Sequence, residues 1–176
     1  MNHYFNLLIS LLLVFTGCSQ SETSSAQSEA KISEETVTEA VAAPEIDVST
    51  IELIDLEGNP ITWESLRGKK VFLNFWATWC KPCIVEMPSM HKASEQLGDD
   101  FVFLAASYEE LDKIQAFAGH RDFNFQFIHS KTPFDALNIY SIPTTFLINE
   151  EGELVETVVG SRPWDEAETI NRLKAL

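Results

Sequence analysis

The chain has 176 residues, 45% of them hydrophobic and 11% aromatic, which is enough for one well-filled core and too few for two, so one domain with an appended leader is expected. With 12 Lys and Arg against 27 Asp and Glu, the formal net charge is −15, which excludes nucleic acid as a partner because binding a phosphate backbone takes clustered cations. The acidity serves solubility.

Residues 7–15 form an apolar run too short to span a bilayer as a finished helix and about right for the core of a secretory signal, so export is expected. The next residues, Phe15-Thr16-Gly17-Cys18, resemble the lipobox of bacterial lipoproteins, in which small residues precede a cysteine that becomes the lipidated first residue of the mature chain. The resemblance implies a signal peptide over residues 1–17 and lipidation at Cys18. Phe15 stands where Leu is usual, and an uncleaved anchor is the alternative. Acylation of Cys18 would leave Cys80 and Cys83 as an exclusive pair with no third thiol to scramble them. Residues 18–50 are rich in Ser, Thr, Glu and Ala, with Lys31 the single cation and large apolar residues too sparse for a core, so they read as a solvated tether.

The folded domain is expected over residues 51–176. It opens with a β-hairpin turning at Glu57-Gly58-Asn59-Pro60, followed by one helical turn at Ser65-Leu66-Arg67-Gly68. Val71-Phe72-Leu73-Asn74-Phe75-Trp76 reads as a buried strand, and the two cysteines of Trp79-Cys80-Lys81-Pro82-Cys83 then open a helix. Cys80, in the first turn, meets unpaired N–H groups and the positive end of the helix dipole, with Lys81 beside it, and these stabilise a thiolate. Cys80 is therefore the expected nucleophile. Cys83 lies one turn on, where it can attack a mixed disulfide at Cys80 and leave a Cys80–Cys83 disulfide. Pro82 presets the geometry between them. An inert disulfide or half a zinc site are the alternatives, the second requiring ligands the chain offers only as Cys18 and scattered His91, His120 and His129.

The helix is expected to run to about Leu97, stopped by Gly98 and kinked at Pro88. Glu86 lies three residues beyond Cys83 on nearly the same face, where a carboxylate could reach the thiol; a solvated surface Glu is the alternative. A second buried strand is read at residues 101–107, a helix at 109–119 with Leu111, Ile114 and Phe117 inward, a strand at 125–128 and a short helix at 134–139. This alternation implies a parallel core. Pro143 belongs at the start of the strand that ends near Ile148 or in a special bend, a hairpin leads into residues 154–159, and a last helix is expected to start at Gly160-Ser161-Arg162-Pro163.

With Trp79-Cys80-Lys81-Pro82-Cys83 followed by Ile142-Pro143-Thr144, residues 51–176 resemble the thioredoxin fold, and most closely the membrane-anchored thiol-disulfide reductases of the TlpA/ResA type. The approach Asn74-Phe75-Trp76-Ala77-Thr78-Trp79, the positions of Glu86 and Pro88 and the N-terminal hairpin agree with that family. Thioredoxins usually carry a buried Asp where this chain has Asn74, and Lys81 departs from their Gly. The resemblance implies an α/β thioredoxin-like fold, a central mixed β-sheet flanked by helices with an extra N-terminal β-hairpin. It also implies a proton-handling role for Glu86, a cis Ile142-Pro143 bond, and a substrate-facing set of Trp79, Lys81, Pro82, Ile142 and Pro143. No cofactor is implied. The implied activity is protein disulfide reduction in the cell envelope, on exported proteins that include apocytochrome c, with electrons from a membrane donor of the DsbD/CcdA type. A disulfide-forming oxidase, a peroxidase using the same thiolate and a non-enzymatic binding lipoprotein on the same scaffold are the rival readings.

Overall fold

The computed structural model describes residues 46–176. The leader over residues 1–17, Cys18 and the tether as far as residue 45 lie outside the described residues. The last residues assigned to the tether do not behave as one: Asp47 caps a 3-10 turn at Val48–Thr50 by accepting the Ser49 N–H at 3.0 Å, and Val48 is buried. Ile46 packs against the same cluster of apolar side chains. The folded unit thus includes residues 46–50, because two apolar side chains suffice to dock a short segment on a sheet face that already exists.

The hairpin forms from β1 (Leu53–Ile54) and β2 (Pro60–Ile61), with Gly58 at φ 87° in the turn between them, a conformation that favours glycine. Pro60 sits on the outermost strand, where a missing N–H costs no ladder bond. A four-residue helix, α1 (Trp63–Leu66), is capped by Thr62. Trp63 is a packing residue as the sequence suggests, its Nε1 donating to the Ile51 carbonyl at 3.0 Å.

The chain then enters β3 (Lys70–Phe75), α2 (Lys81–Leu97), β4 (Phe101–Ser107), α3 (Leu111–Ala118), β5 (Gln126–Ser130), β6 (Thr144–Ile148), β7 (Leu154–Val159) and α4 (Ala167–Lys174). One seven-stranded sheet results, in the order β2-β1-β5-β4-β3-β6-β7. β3 runs parallel to β4 and antiparallel to β6, so the sheet is mixed, as expected. Burial explains the central place of β3: from Val71 to Phe75 every side chain is enclosed, which only a strand covered on both faces allows. Alternate residues divide between two cores. Phe72 and Trp76 join Met87 and Met90 of α2 on one face, and Val71, Leu73 and Phe75 join Leu104, Phe146 and Ile148 on the other. Asn74 shares the parity of Phe72, which aims a polar side chain at α2.

Two helix starts differ from the sequence reading. α3 begins at Leu111 instead of Glu109, because the Glu109 side chain is drawn back into hydrogen bonds with Thr78 and Ser107. α4 begins at Ala167 instead of near Gly160; the segment before it is tied down to α2, with the backbone N–H groups of Arg162 and Trp164 directed at Glu86 and Ser89. α2 continues through Pro88, whose ring faces solvent.

Candidate active site

The carboxyl end of β3 and the first turn of α2 bring the two cysteines together. Cys80 and Cys83 form a disulfide, with Cα atoms 5.3 Å apart. Cys80 is the N-cap of α2, and its sulfur accepts the Cys83 N–H at 3.3 Å, one of the donors that a helix start leaves without a backbone partner. That bond and the helix dipole favour negative charge on Cys80 once the disulfide is opened. In the disulfide state Cys83 is fully enclosed and Cys80 nearly so, with 3% of its surface exposed. Lys81 and Pro82 lie on the exposed side of the first helical turn, and Trp79 beside them is 65% exposed.

Across from the disulfide, the Ile142-Pro143 bond is cis, as the family resemblance implied, and the Ile142 carbonyl oxygen lies 3.7 Å from the Cys80 sulfur. The turn places a backbone carbonyl beside the disulfide, with Pro143 buried at the entrance to β6.

Glu86 faces inward, which excludes the surface reading. Only 2% of it is exposed, and its carboxylate is held by three N–H donors: Asn74 Nδ2 on Oε1 at 2.9 Å, and Arg162 N and Trp164 Nε1 on Oε2, each at 3.1 Å. Burial pushes the Glu86 carboxyl above the usual carboxylate range, and the hydrogen bonds from Arg162, Trp164 and Asn74 oppose that rise without cancelling it. Asn74 spends its other amide proton on Thr145 Oγ1 at 2.9 Å, the residue directly paired with it across β3 and β6, while its Oδ1 has no partner among the described residues. The sequence had singled out Cys80, Cys83, Glu86, Ile142 and Pro143, and the fold brings these to one end of the sheet. It did not single out Trp164 or Thr145, whose contacts with this network span 78 and 71 residues of chain, or Glu109. A cluster of this kind, two sulfurs at a helix start with a carboxyl of raised pKa one turn behind, can exchange disulfides and move the accompanying proton.

The fold and this site define a thiol-disulfide oxidoreductase on a thioredoxin-like scaffold. The chain belongs to the Redoxin family, whose model matches residues 34–174. It is 32% identical over 167 residues to the thioredoxin-like protein YneN of Bacillus subtilis, with 92% of each chain covered. To the thiol-disulfide oxidoreductase ResA of Bacillus cereus it is 37% identical over 120 residues, covering 65% of this chain and 68% of ResA. Among solved structures, the pneumococcal exposed lipoprotein thioredoxin Etrx1 of Streptococcus pneumoniae superposes with a TM-score of 0.60 at 29% identity, over 71% of this chain and 98% of Etrx1. The kinship with ResA-type oxidoreductases expected from the motifs is thereby established, and with it dithiol-disulfide exchange as the activity.

Proposed function

We propose that the protein is an exported, lipid-anchored reductase of disulfides in other exported proteins, with Cys80 attacking and Cys83 resolving. The Cys80 thiolate attacks one sulfur of a substrate disulfide, forms a mixed disulfide and expels the other substrate sulfur as a thiolate, which takes up a proton. Cys83 then gives its proton to Glu86, directly or through a water, and attacks the Cys80 sulfur, displacing the second substrate thiolate and closing the Cys80–Cys83 disulfide. Two electrons have passed to the substrate, and a membrane donor of the DsbD/CcdA type returns them.

The observation that carries this reading is the Cys80 sulfur at the N-cap of α2, accepting the Cys83 N–H at 3.3 Å, with the buried Glu86 one turn behind. The Ile142 carbonyl beside that sulfur supports docking of an extended substrate segment, whose backbone would pair with the turn while its disulfide meets Cys80. Trp79, Lys81 and Pro82, exposed on the opposite rim, complete the substrate-facing set. Export and the lipid anchor rest on residues 7–18 and on the likeness to Etrx1, itself an exposed lipoprotein. The direction of transfer and apocytochrome c as a substrate rest on kinship with the ResA type. Equilibrating the domain against a redox buffer tests the direction. A reduction potential near that of thioredoxin, about −270 mV, or below it supports a reductase, and one near that of DsbA, about −120 mV, would make the protein an oxidant.

A further inference from the structure

Glu109 is the second buried carboxylate at this end of the sheet, and dithiol-disulfide exchange as described above does not use it. It is 8% exposed, and both its oxygens grip one residue of the loop between β3 and α2: Oε2 accepts the Thr78 backbone N–H at 2.6 Å and Oε1 accepts the Thr78 hydroxyl at 2.8 Å. Ser107 at the end of β4 donates its hydroxyl to Oε2 at 3.3 Å and accepts the Glu109 N–H at 3.2 Å. The Glu109 carbonyl lies 2.9 Å from His129 Nδ1 of β5, and since a carbonyl only accepts, Nδ1 carries the proton. Three segments, the end of β4, the end of β5 and the loop that leads into Cys80, therefore converge on one residue. A carboxylate buried merely to fill space would not have its main-chain N–H, its carbonyl and both its side-chain oxygens engaged with three different segments.

We propose that Glu109 is a positioning residue for the attacking sulfur: it fixes Thr78, and through Thr78 the turn that carries Trp79 and Cys80 onto the start of α2. The inference rests on the reading of Cys80 as the nucleophile. The loop has little else to hold it on this side, since the Trp76 N–H goes to Ala106 and the Cys80 N–H to Ala77, leaving the Thr78 N–H to the carboxylate. A charge accompanies the clamp. The charged and titratable groups around this loop are Lys81 and Glu86 on α2, Glu109 from the connection between β4 and α3, and His129 of β5 against the Glu109 carbonyl, while the Ile142-Pro143 turn brings no charge. Glu109 opposes the thiolate that Lys81 and the helix start favour, so it gives the sulfur a fixed position and also a less acidic thiol.

The two effects separate in variants. Glu109→Gln keeps the clamp, its Oε1 accepting the Thr78 N–H and its Nε2 donating to the Thr78 hydroxyl, and removes the charge. Glu109→Ala removes both, and Thr78→Val deletes the hydroxyl contact from the other side while keeping the N–H. The measurements are the pH profile of alkylation at Cys80, mapped on peptides, and the rate of reduction of a disulfide-bearing peptide at fixed thiolate fraction. Glu109→Gln is expected to lower the alkylation midpoint by about half a pH unit or more and to keep the exchange rate within about 3-fold. Glu109→Ala is expected to slow exchange roughly 10-fold or more, and Thr78→Val by a smaller factor, because the sulfur loses its fixed approach. Should Glu109→Ala fail to fold, the other two variants still decide. An unshifted midpoint in Glu109→Gln overturns the charge effect, and an undiminished rate in Glu109→Ala or Thr78→Val overturns the clamp. Alkylation of wild type mapping to Cys83 would instead sink the nucleophile assignment beneath it.

Discussion

Replacing Glu86 by Gln separates the two consequences of burying a carboxylate behind the disulfide. Because burial raises its folded-state pKa above the unfolded value of about 4.3, folding is favoured while the group is protonated and disfavoured once it must ionise inside the protein. The stability linked to Glu86 is therefore fully present below about pH 4 and lost as pH rises through the folded value, with a limiting slope of about 1.4 kcal/mol per pH unit. Gln does not titrate. Its carbonyl can accept from Arg162 N and Trp164 Nε1 as Oε2 does now, and its amide can donate to Asn74 Oδ1, which has no partner among the described residues of the wild type, once the Asn74 amide turns over. The variant should thus gain stability relative to wild type as pH rises above 4 and hold a constant margin above the folded pKa. Urea unfolding of the oxidised proteins from pH 4 to 9, subtracted point by point, measures this. In the reduced protein the same substitution should lower the apparent thiol pKa values, since a negative charge leaves the site, and slow release of the mixed disulfide on the order of 10²-fold, since the base is gone. A stability difference that stays flat across the pH range would refute the raised carboxyl. Unchanged thiol titration and resolution rates would refute its role in catalysis.

Trp164→Phe removes one of the three donors to Glu86 and should cost about 1–3 kcal/mol, more at pH 8 than at pH 4, read by urea unfolding at both values. Phe72 is fully enclosed between Phe103 and Trp164, with ring centroids 4.5 and 4.6 Å away, so Phe72→Ala should destabilise by about 3–5 kcal/mol; a loss below about 1 kcal/mol would contradict the packing. If Cys18 is the lipid anchor, wild type takes up labelled fatty acid and partitions with membranes, whereas Cys18→Ser takes up no label and is either soluble or left uncleaved; an unlabelled, soluble mature wild type would remove the anchor from the account.

What the sequence made legible was what is local. The strand-to-helix transition at Trp76 to Cys80 and the two-residue spacing of the cysteines lie within one stretch, where helix geometry converts spacing into proximity; for Glu86 the spacing left a surface position open, and the family resemblance pointed inward. The hairpin and the succession of strands along the chain followed from apolar periodicity and turn residues in the same way. What stayed hidden is carried by distant partners. Nothing near Trp164 or Thr145 in the chain announces that both bear on the Glu86 network, and nothing near Glu109 announces Thr78. The starts of α3 and α4 lie later than the sequence suggests, and in both places the residues just before the helix are bound to the site by contacts distant in the chain. The docking of residues 46–50 was missed because sparse apolar residues look solvated until a sheet face is there to receive them.

The account stands or falls on which sulfur attacks. Reduced Cys83→Ala and Cys80→Ala, each offered a peptide containing one intramolecular disulfide, can be compared with wild type by mass spectrometry of the intact proteins and of their peptides. Cys83→Ala should accumulate a stable peptide adduct on Cys80, Cys80→Ala should form little or none, and wild type should release reduced peptide and finish as the Cys80–Cys83 disulfide. Adduct accumulating on Cys83 in the Cys80→Ala variant, with Cys83→Ala inert, would contradict it.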